Sequence, residues 1–147
     1  MAFDTPQDAE DAFYDALESA DAQAMTQVWE ASTDIACPLP MTPLIQGTEV
    51  LEMWRSMFSQ GAAFDIQVRH LSWIEGGDLA VHLIEERIAP PAEPGGGRPT
   101  QPIPPVYASN LFRRGADGWR LVVHQNSPVP PPPGMASGMA PSGPSRA

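Results

Sequence analysis

The sequence GWRLVVHQNSP at residues 118–128 ends in four consecutive side chains that can form hydrogen bonds, His124 to Ser127. In a strand, successive side chains point to opposite faces of the sheet. His124 and Asn126 therefore share one face. Alternation divides the rest of this strand into two sets, with Arg120 and Val122 on the face of His124, and Trp119, Leu121, Val123 and Gln125 on the opposite face.

A second candidate strand, LAVHLIEERI at residues 79–88, carries His82 and Glu86 on one alternating face. If His124 of the last strand lies beside Glu86, the pair can move a proton, because the carboxylate holds one imidazole tautomer and raises its basicity. His124 and Glu86 can also form a purely structural hydrogen bond. On a third candidate strand, Asn110 shares a face with Ala108 and Phe112.

The other residues with reactive side chains predict little chemistry. The three histidines, His70, His82 and His124, lack a close ligand spacing such as HxH or HExxH, so the sequence predicts no metal site and no cofactor. The single cysteine, Cys37, has no partner for a disulfide or a CxxC motif. We expect it to be a buried small hydrophobic residue.

Proline positions show where regular structure can form, because proline interrupts helices and central strands. None of the 18 prolines lies in residues 7–37, 44–89 or 106–127. Helix signals fill the first window and the start of the second. They are a cap at Thr5 followed by Pro6, a cap at Asp21, and an apolar stripe after Gly47 in EVLEMWRSMF. TDIAC, at residues 33–37, is a short strand candidate between the last two helices.

Strand signals follow the third helix. The apolar period changes to two from Phe64, Gly76-Gly77 predicts a hairpin, and GADG at residues 115–118 predicts another. Three helices followed by an antiparallel meander predict an α+β fold in which a curved sheet wraps over the helices. We expect one domain over residues 1–128 and a disordered tail rich in Pro, Gly and Ser over 129–147.

Charge and hydropathy exclude several function classes. The formal charge is −10, and residues 1–54 contain eleven acidic residues and no basic one. Such a surface repels phosphate backbones and anionic lipids, so we expect neither nucleic acid nor membrane partners. No apolar run approaches the roughly 18 residues of a membrane span, and the acidic N-terminus is unlike a signal peptide. We therefore expect a cytoplasmic protein.

The order of these segments resembles the SnoaL-like branch of the nuclear transport factor 2-like superfamily over roughly residues 7–128. The resemblance is carried by ALESADAQAMTQVWE, the loop ending in Gly47, VLEMWRSMF, and the paired strands of NLFRRGADGWRLVVHQNSP. It implies a cone-shaped fold whose helices and sheet enclose a pocket. It also implies a homodimer formed through the outer faces of the sheet.

The ketosteroid isomerases of this superfamily use a tyrosine on the first helix and a protonated aspartic acid as oxyanion donors, with a second aspartate as the base. Tyr14 lies at the corresponding place. The loop that carries Asp-Pro or His-Pro in relatives reads ACPLPM here, without a plausible base, and the second donor position, near Ser109 or Asn110, lacks an acid. The sequence therefore does not support the mechanism of the ketosteroid isomerases, because both acidic residues are missing.

In similar proteins the histidine of the last strand and the strand carboxylate face the cavity. We expect a pocket with His124 and Glu86 as its leading polar residues. Trp29 and Trp54, on helical apolar stripes, can serve either as core or as ligand platform. The full set of predicted ligand-binding residues is Tyr14, Trp29, Trp54, Glu86, Asn110, His124 and Asn126.

Three functions remain open at this point. The first is binding of a small, largely apolar molecule in the cone pocket. The second is ketosteroid isomerase-like or polyketide cyclase-like proton transfer on a carbonyl compound, with Tyr14 as donor and His124 as base. The third is a dimerisation scaffold with a vestigial pocket.

Overall fold

A computed structural model describes residues 2–89 and 104–127 of the chain. The predicted tail at 129–147 and most of the proline-rich loop lie outside these residues. The chain forms three helices and then four strands: α1 (Pro6–Ser19), α2 (Ala22–Val28), α3 (Thr48–Ser59), β1 (Ile66–Gly76), β2 (Leu79–Ile88), β3 (Val106–Gly115) and β4 (Gly118–Asn126).

The helices begin where the sequence predicts them. The Thr5 hydroxyl accepts a hydrogen bond of 3.1 Å from the backbone N–H of Asp8, and Pro6 occupies the first turn of α1. The Asp21 carboxylate accepts one of 2.9 Å from the backbone N–H of Ala24 at the start of α2. These side chains satisfy backbone donors that have no partner inside the helix. Both predicted caps are confirmed.

The four strands form one antiparallel sheet in the order β1-β2-β3-β4. The two predicted hairpins are confirmed, with Gly77 at φ +59° in the first turn and Gly118 at φ +96° after the second. Gly118 also packs against the N-terminal segment, where Trp119 donates a backbone hydrogen bond of 2.8 Å to the Phe3 carbonyl. A Cβ at Gly118 would lie 2.4 Å from that carbonyl oxygen, so only glycine fits.

A β-bulge in β4 corrects the predicted alternation. Leu111 pairs with Val123 whereas Phe112 pairs with Leu121, so Val122 is the extra residue. Before the bulge the faces of the strand are reversed. Trp119 and Leu121 are consequently buried on the core side, the same side as His124, and their predicted placement on the opposite face is wrong.

The core lies between the helices and the inner face of the sheet. Phe13 of α1 is at its centre, with ring centroids 6.3 Å from Trp29 and 5.9 Å from Trp54, both in edge-to-face geometry. Leu121 and Phe112 close the core from the sheet side. Three helices packed on a four-stranded antiparallel sheet confirm the predicted α+β cone.

The segment predicted as a strand, TDIAC, contributes isolated bridges at Ala36 rather than a strand. Pro38 still accepts a backbone hydrogen bond from Asn126, but it has no N–H with which to continue the ladder. Ala36 nonetheless covers the edge of β4, donating a backbone hydrogen bond of 2.9 Å to the carbonyl of Val122. In the described part of the chain, no helix is long and apolar enough to cross a membrane.

Candidate functional site

A cavity of about 240 Å³ lies beside α3 and the end of the inner sheet face. Most of its lining is apolar, and its polar residues are Glu86, His124 and Asn126. Pro40, from the CPLP loop, is exposed at its edge. The complete lining is Leu17, Leu39, Pro40, Trp54, Met57, Phe64, Ile66, Glu86, Ile88, Val106, His124 and Asn126.

Glu86 supplies the acidic group of this cavity. It lies on the inner face of β2 and is only 3% exposed. One carboxylate oxygen accepts a hydrogen bond of 2.8 Å from the Tyr14 hydroxyl, and the other accepts one from the Asn126 amide. Both donors are neutral, and each carboxylate oxygen can accept a further bond. Glu86 is thus a buried acceptor facing an apolar cavity.

His124 lies beside Glu86, between two amides. Its Nδ1 is 2.6 Å from Asn110 Oδ1, and its Nε2 is 3.1 Å from Asn126 Oδ1. Burial lowers the pKa of His124, although the nearby charge of Glu86 acts in the opposite direction. Because both ring nitrogens face amide oxygens, the single basic nitrogen of the neutral ring, whichever it is, is not directed at the cavity.

Tyr14 of α1 lies behind the polar end of the cavity. Its hydroxyl donates to Glu86 and accepts a hydrogen bond of 3.1 Å from the Asn110 amide. Burial and the adjacent Glu86 charge raise the pKa of Tyr14 well above its ordinary value. Tyr14 is therefore a protonated phenol whose proton is directed at Glu86.

The remaining predicted residues fall into three environments. Trp54 lines the cavity, and its indole Nε1 is buried without a partner among residues 2–89 and 104–127. Asn110 is fully buried behind the lining. Trp29 packs in the core, where its Nε1 donates to Met25 Sδ at 3.3 Å. Of the two tryptophans on helical stripes, only Trp54 reaches the cavity.

Cys37 is buried as expected from the sequence. Burial, reinforced by the Glu86 charge, raises the pKa of the thiol to about 12. A thiol with that pKa stays protonated at neutral pH. Cys37 therefore supplies no base to the neighbouring cavity.

Glu10 is the polar residue that the sequence reading missed. It is 1% exposed and accepts hydrogen bonds from His70 Nε2 at 2.5 Å, His82 Nδ1 at 3.0 Å and Asn110 Nδ2 at 2.9 Å. Burial raises the pKa of Glu10, but these bonds together hold it below its ordinary value. The sequence did contain a signal for the burial of Glu10, because Glu10 precedes Phe13 by three residues and so lies on the apolar stripe of α1.

Glu10 and Glu86 belong to one hydrogen-bonded network. The Asn110 amide donates to both Glu10 and the Tyr14 hydroxyl, and Tyr14 donates to Glu86. The network therefore joins the polar end of the cavity to the imidazoles of His70 and His82. Connected buried networks of this kind fix the positions of their members.

The sequence profile of the SnoaL-like domain matches residues 7–132. The chain belongs to the SnoaL-like family. No curated protein matches it significantly.

Solved structures place this SnoaL-like chain in the nuclear transport factor 2-like superfamily. A protein from Thiobacillus denitrificans, described as a candidate calcium/calmodulin-dependent protein kinase type II association domain, is 36% identical with a TM-score of 0.76, over 88% of this chain and 99% of that one. A candidate dehydratase of the NTF2-like family from Streptomyces avermitilis is 27% identical with a TM-score of 0.67, over 82% and 91%.

A ketosteroid isomerase-like protein from Erwinia carotovora atroseptica shares the fold at 20% identity, with a TM-score of 0.60 over 85% of this chain and 94% of that one.

Proposed function

We propose that this SnoaL-like protein binds a small, largely apolar molecule in the cavity beside Glu86. The observation that carries the proposal is an apolar cavity with three polar residues gathered at one end, the usual composition of a small-molecule site. Its volume of about 240 Å³ is below the roughly 300–1,000 Å³ of pockets for drug-sized ligands. The ligand is therefore expected to be small, on the scale of one or two rings.

The polar end favours a ligand that donates a hydrogen bond. Glu86 retains acceptor capacity beyond its bonds from Tyr14 and Asn126. A hydroxyl or N–H group placed there would pair with a buried acceptor, whereas a carboxylate would bring a like charge against Glu86. We expect alcohols and phenols to bind better than aromatic acids of the same shape.

Ligand-dependent thermal shift tests the proposal with cyclic alcohols, phenols, cyclic ketones and aromatic acids. Alcohols or phenols should raise the melting temperature of the wild type, and Glu86→Gln should reduce that shift. Glu85→Gln is the matched control, because Glu85 is the next residue on the opposite face of β2, where it pairs with Arg69 and Arg87. The proposal fails if no compound raises the melting temperature, or if both variants respond as the wild type does.

A second candidate function is proton transfer on a carbonyl compound. The supporting observation is a carboxylate held by two neutral donors against an apolar cavity, an arrangement suited to a general base. The sequence assigned the base to His124 and a donor role to Tyr14. The hydrogen bonds favour Glu86 as the base, with Tyr14 positioning it. Because one relative is described as a candidate dehydratase, β-hydroxy carbonyl compounds should be included among the substrates tested.

Exchange of α-protons for deuterium in cyclic ketones, followed by NMR in D₂O, measures this activity directly. The wild type and Glu85→Gln should catalyse exchange, whereas Glu86→Gln should not. Binding without exchange would refute the enzyme function and leave the binding function standing. The cavity itself favours both over a scaffold with a vestigial pocket.

We also propose a homodimer formed through the outer face of the sheet. The support is a group of large apolar side chains on that face, exposed by 37–56%: Ile74, Leu79, Leu83 and Tyr107. The relative from Thiobacillus denitrificans is described as an association domain. Light scattering should give the mass of a dimer for the wild type and for Leu44→Asp, a control in an exposed loop. Leu83→Asp should be monomeric, and a monomeric wild type would refute the dimer.

A further inference from the structure

A second group of polar residues lies on the other side of the network from the ligand cavity. It consists of Glu10, His70 and His82, named here the His–Glu cluster. The Glu10 carboxylate stands between the two imidazoles, with one oxygen 2.5 Å from His70 Nε2 and the other 3.0 Å from His82 Nδ1. One potential ligand atom from each residue lies within 4.8 Å of the others.

The hairpin of β1 and β2 assembles this cluster. His82 is on the inner face of β2 opposite Trp73, and a bulge between His70 and Ser72 allows both His70 and Trp73 to reach that side. The Trp73 ring stacks on His82, with centroids 4.8 Å apart, and meets His70 edge-on at 5.0 Å. Both imidazoles are therefore held in orientation before any ligand arrives.

Hydrogen bonding alone accounts poorly for His82. The side chain is fully buried, and its Nε2 has no partner among the described residues. Leaving a buried polar atom unpaired costs about 1–3 kcal/mol, whereas an apolar ring at this position would avoid that cost. The contact of the other nitrogen, Nδ1, with Glu10 is the polar interaction that the His82 side chain makes in return.

We propose that the His–Glu cluster binds one divalent transition-metal ion, with Zn²⁺ the best fit, through Glu10, His70 Nε2 and His82 Nδ1. Two imidazoles and a carboxylate are the ligand set of many zinc sites that keep a fourth position open. Ligand atoms around tetrahedral zinc lie about 3.3 Å apart. The two N–O contacts of 2.5 and 3.0 Å would lengthen by about 0.3–0.8 Å, and the widest separation in the cluster, at most 4.8 Å, would shorten by up to about 1.5 Å.

The surroundings of the cluster suit such a site. The Asn110 amide donates to Glu10 at 2.9 Å and would orient the carboxylate ligand from behind. On the open side, a second cavity of about 370 Å³ is lined by Glu10, Tyr14 and His70 among others. The His70 side chain is 32% exposed, so an ion has a path from solvent and a water molecule can complete the coordination.

Metal binding to the full chain, without an affinity tag and stripped by chelator, tests the proposal. Competition against a chromophoric chelator should give one Zn²⁺ per chain, and Co²⁺ should give the intense visible absorption of a tetrahedral site. Glu10→Gln and His70→Gln should each weaken Zn²⁺ binding by at least about 10–100-fold. Glu18→Gln is the matched control, because Glu18 is an exposed glutamate on the same helix and should bind as the wild type does.

His70 lies at the surface of the fold, so His70→Gln removes one ligand without emptying the core, and this variant is expected to fold. Three results would overturn the proposal: no saturable binding of either ion, a Co²⁺ spectrum no different from the hydrated ion, or Zn²⁺ affinities of folded His70→Gln and Glu18→Gln that agree with each other.

Discussion

The hydrogen bond from Tyr14 to Glu86 links helix α1 to the polar end of the ligand cavity, and Tyr14→Phe removes it. The two oxygens are 2.8 Å apart, the acceptor is a carboxylate, and Glu86 is 3% exposed. Hydrogen bonds to charged groups contribute about 1.5–3 kcal/mol. We expect Tyr14→Phe to lower the free energy of unfolding by that amount and the melting temperature by about 5–10 °C.

The chain provides its own control, because it contains one other tyrosine. Tyr107 is 49% exposed on the outer face of the sheet, and Tyr107→Phe should change the free energy of unfolding by less than about 0.5 kcal/mol. Urea denaturation of both variants at pH 7 measures the difference. Equal stabilities for Tyr14→Phe and Tyr107→Phe would refute the assignment of Glu86 as the partner of the Tyr14 hydroxyl.

A double-mutant cycle isolates the pair itself. Tyr14→Phe combined with Glu86→Gln should show a coupling energy above about 1 kcal/mol, since the two groups are in direct contact. The same cycle with Glu85→Gln should show coupling near zero, because Glu85 lies on the other face of the strand and bonds to Arg69 and Arg87. Coupling of equal size in both cycles would contradict the geometry.

Two further predictions follow from the fold and the network. Gly118→Ala should lower the free energy of unfolding by about 2–3 kcal/mol, because the new Cβ meets the Phe3 carbonyl and φ at this position is +96°. Gly115→Ala should lower it less, because the space around its Cβ is open. Equal losses for the two variants in urea denaturation would contradict this reasoning. Burial lowers the pKa of His124 in the folded state, so the unfolded chain takes up this proton first. The contribution of neutral His124 to the free energy of unfolding should therefore be fully present above about pH 6.5 and should be lost as the pH falls towards the folded pKa. The free energy of unfolding of His124→Gln should fall less steeply over the same range. Parallel curves for the two proteins would show that His124 is not the titrating group.

Local signals in the sequence predicted the elements of the fold well. The caps at Thr5 and Asp21 and the turn at Gly77 act within a few residues, so they can be read without tertiary information. The bulge at Val122 could not be read in this way, because strict alternation assumes an uninterrupted strand. Its effect was to move Trp119 and Leu121 to the core side.

The candidate site was harder to predict than the secondary structure, because it depends more on contacts between residues far apart in the sequence. Alternation placed His124 and Asn126 on one face of β4, and the family resemblance implied that His124 and Glu86 face the cavity; all three line it. Trp29 and Trp54 carry the same helical signal, and only packing separates a core position from a cavity position. The burial of Glu10 requires partners 60 to 100 residues away along the chain.

The central claim is that the cavity beside Glu86 holds a small ligand that donates a hydrogen bond. An NMR titration that follows the side-chain amide of Asn126 and the indole N–H of Trp54 tests it most directly, with phenol and benzoate as compounds of the same ring size and different charge. We predict saturable shifts of both signals with phenol and much smaller shifts with benzoate. Shifts that favour benzoate, or no shift of either signal with any alcohol or phenol, would contradict the claim.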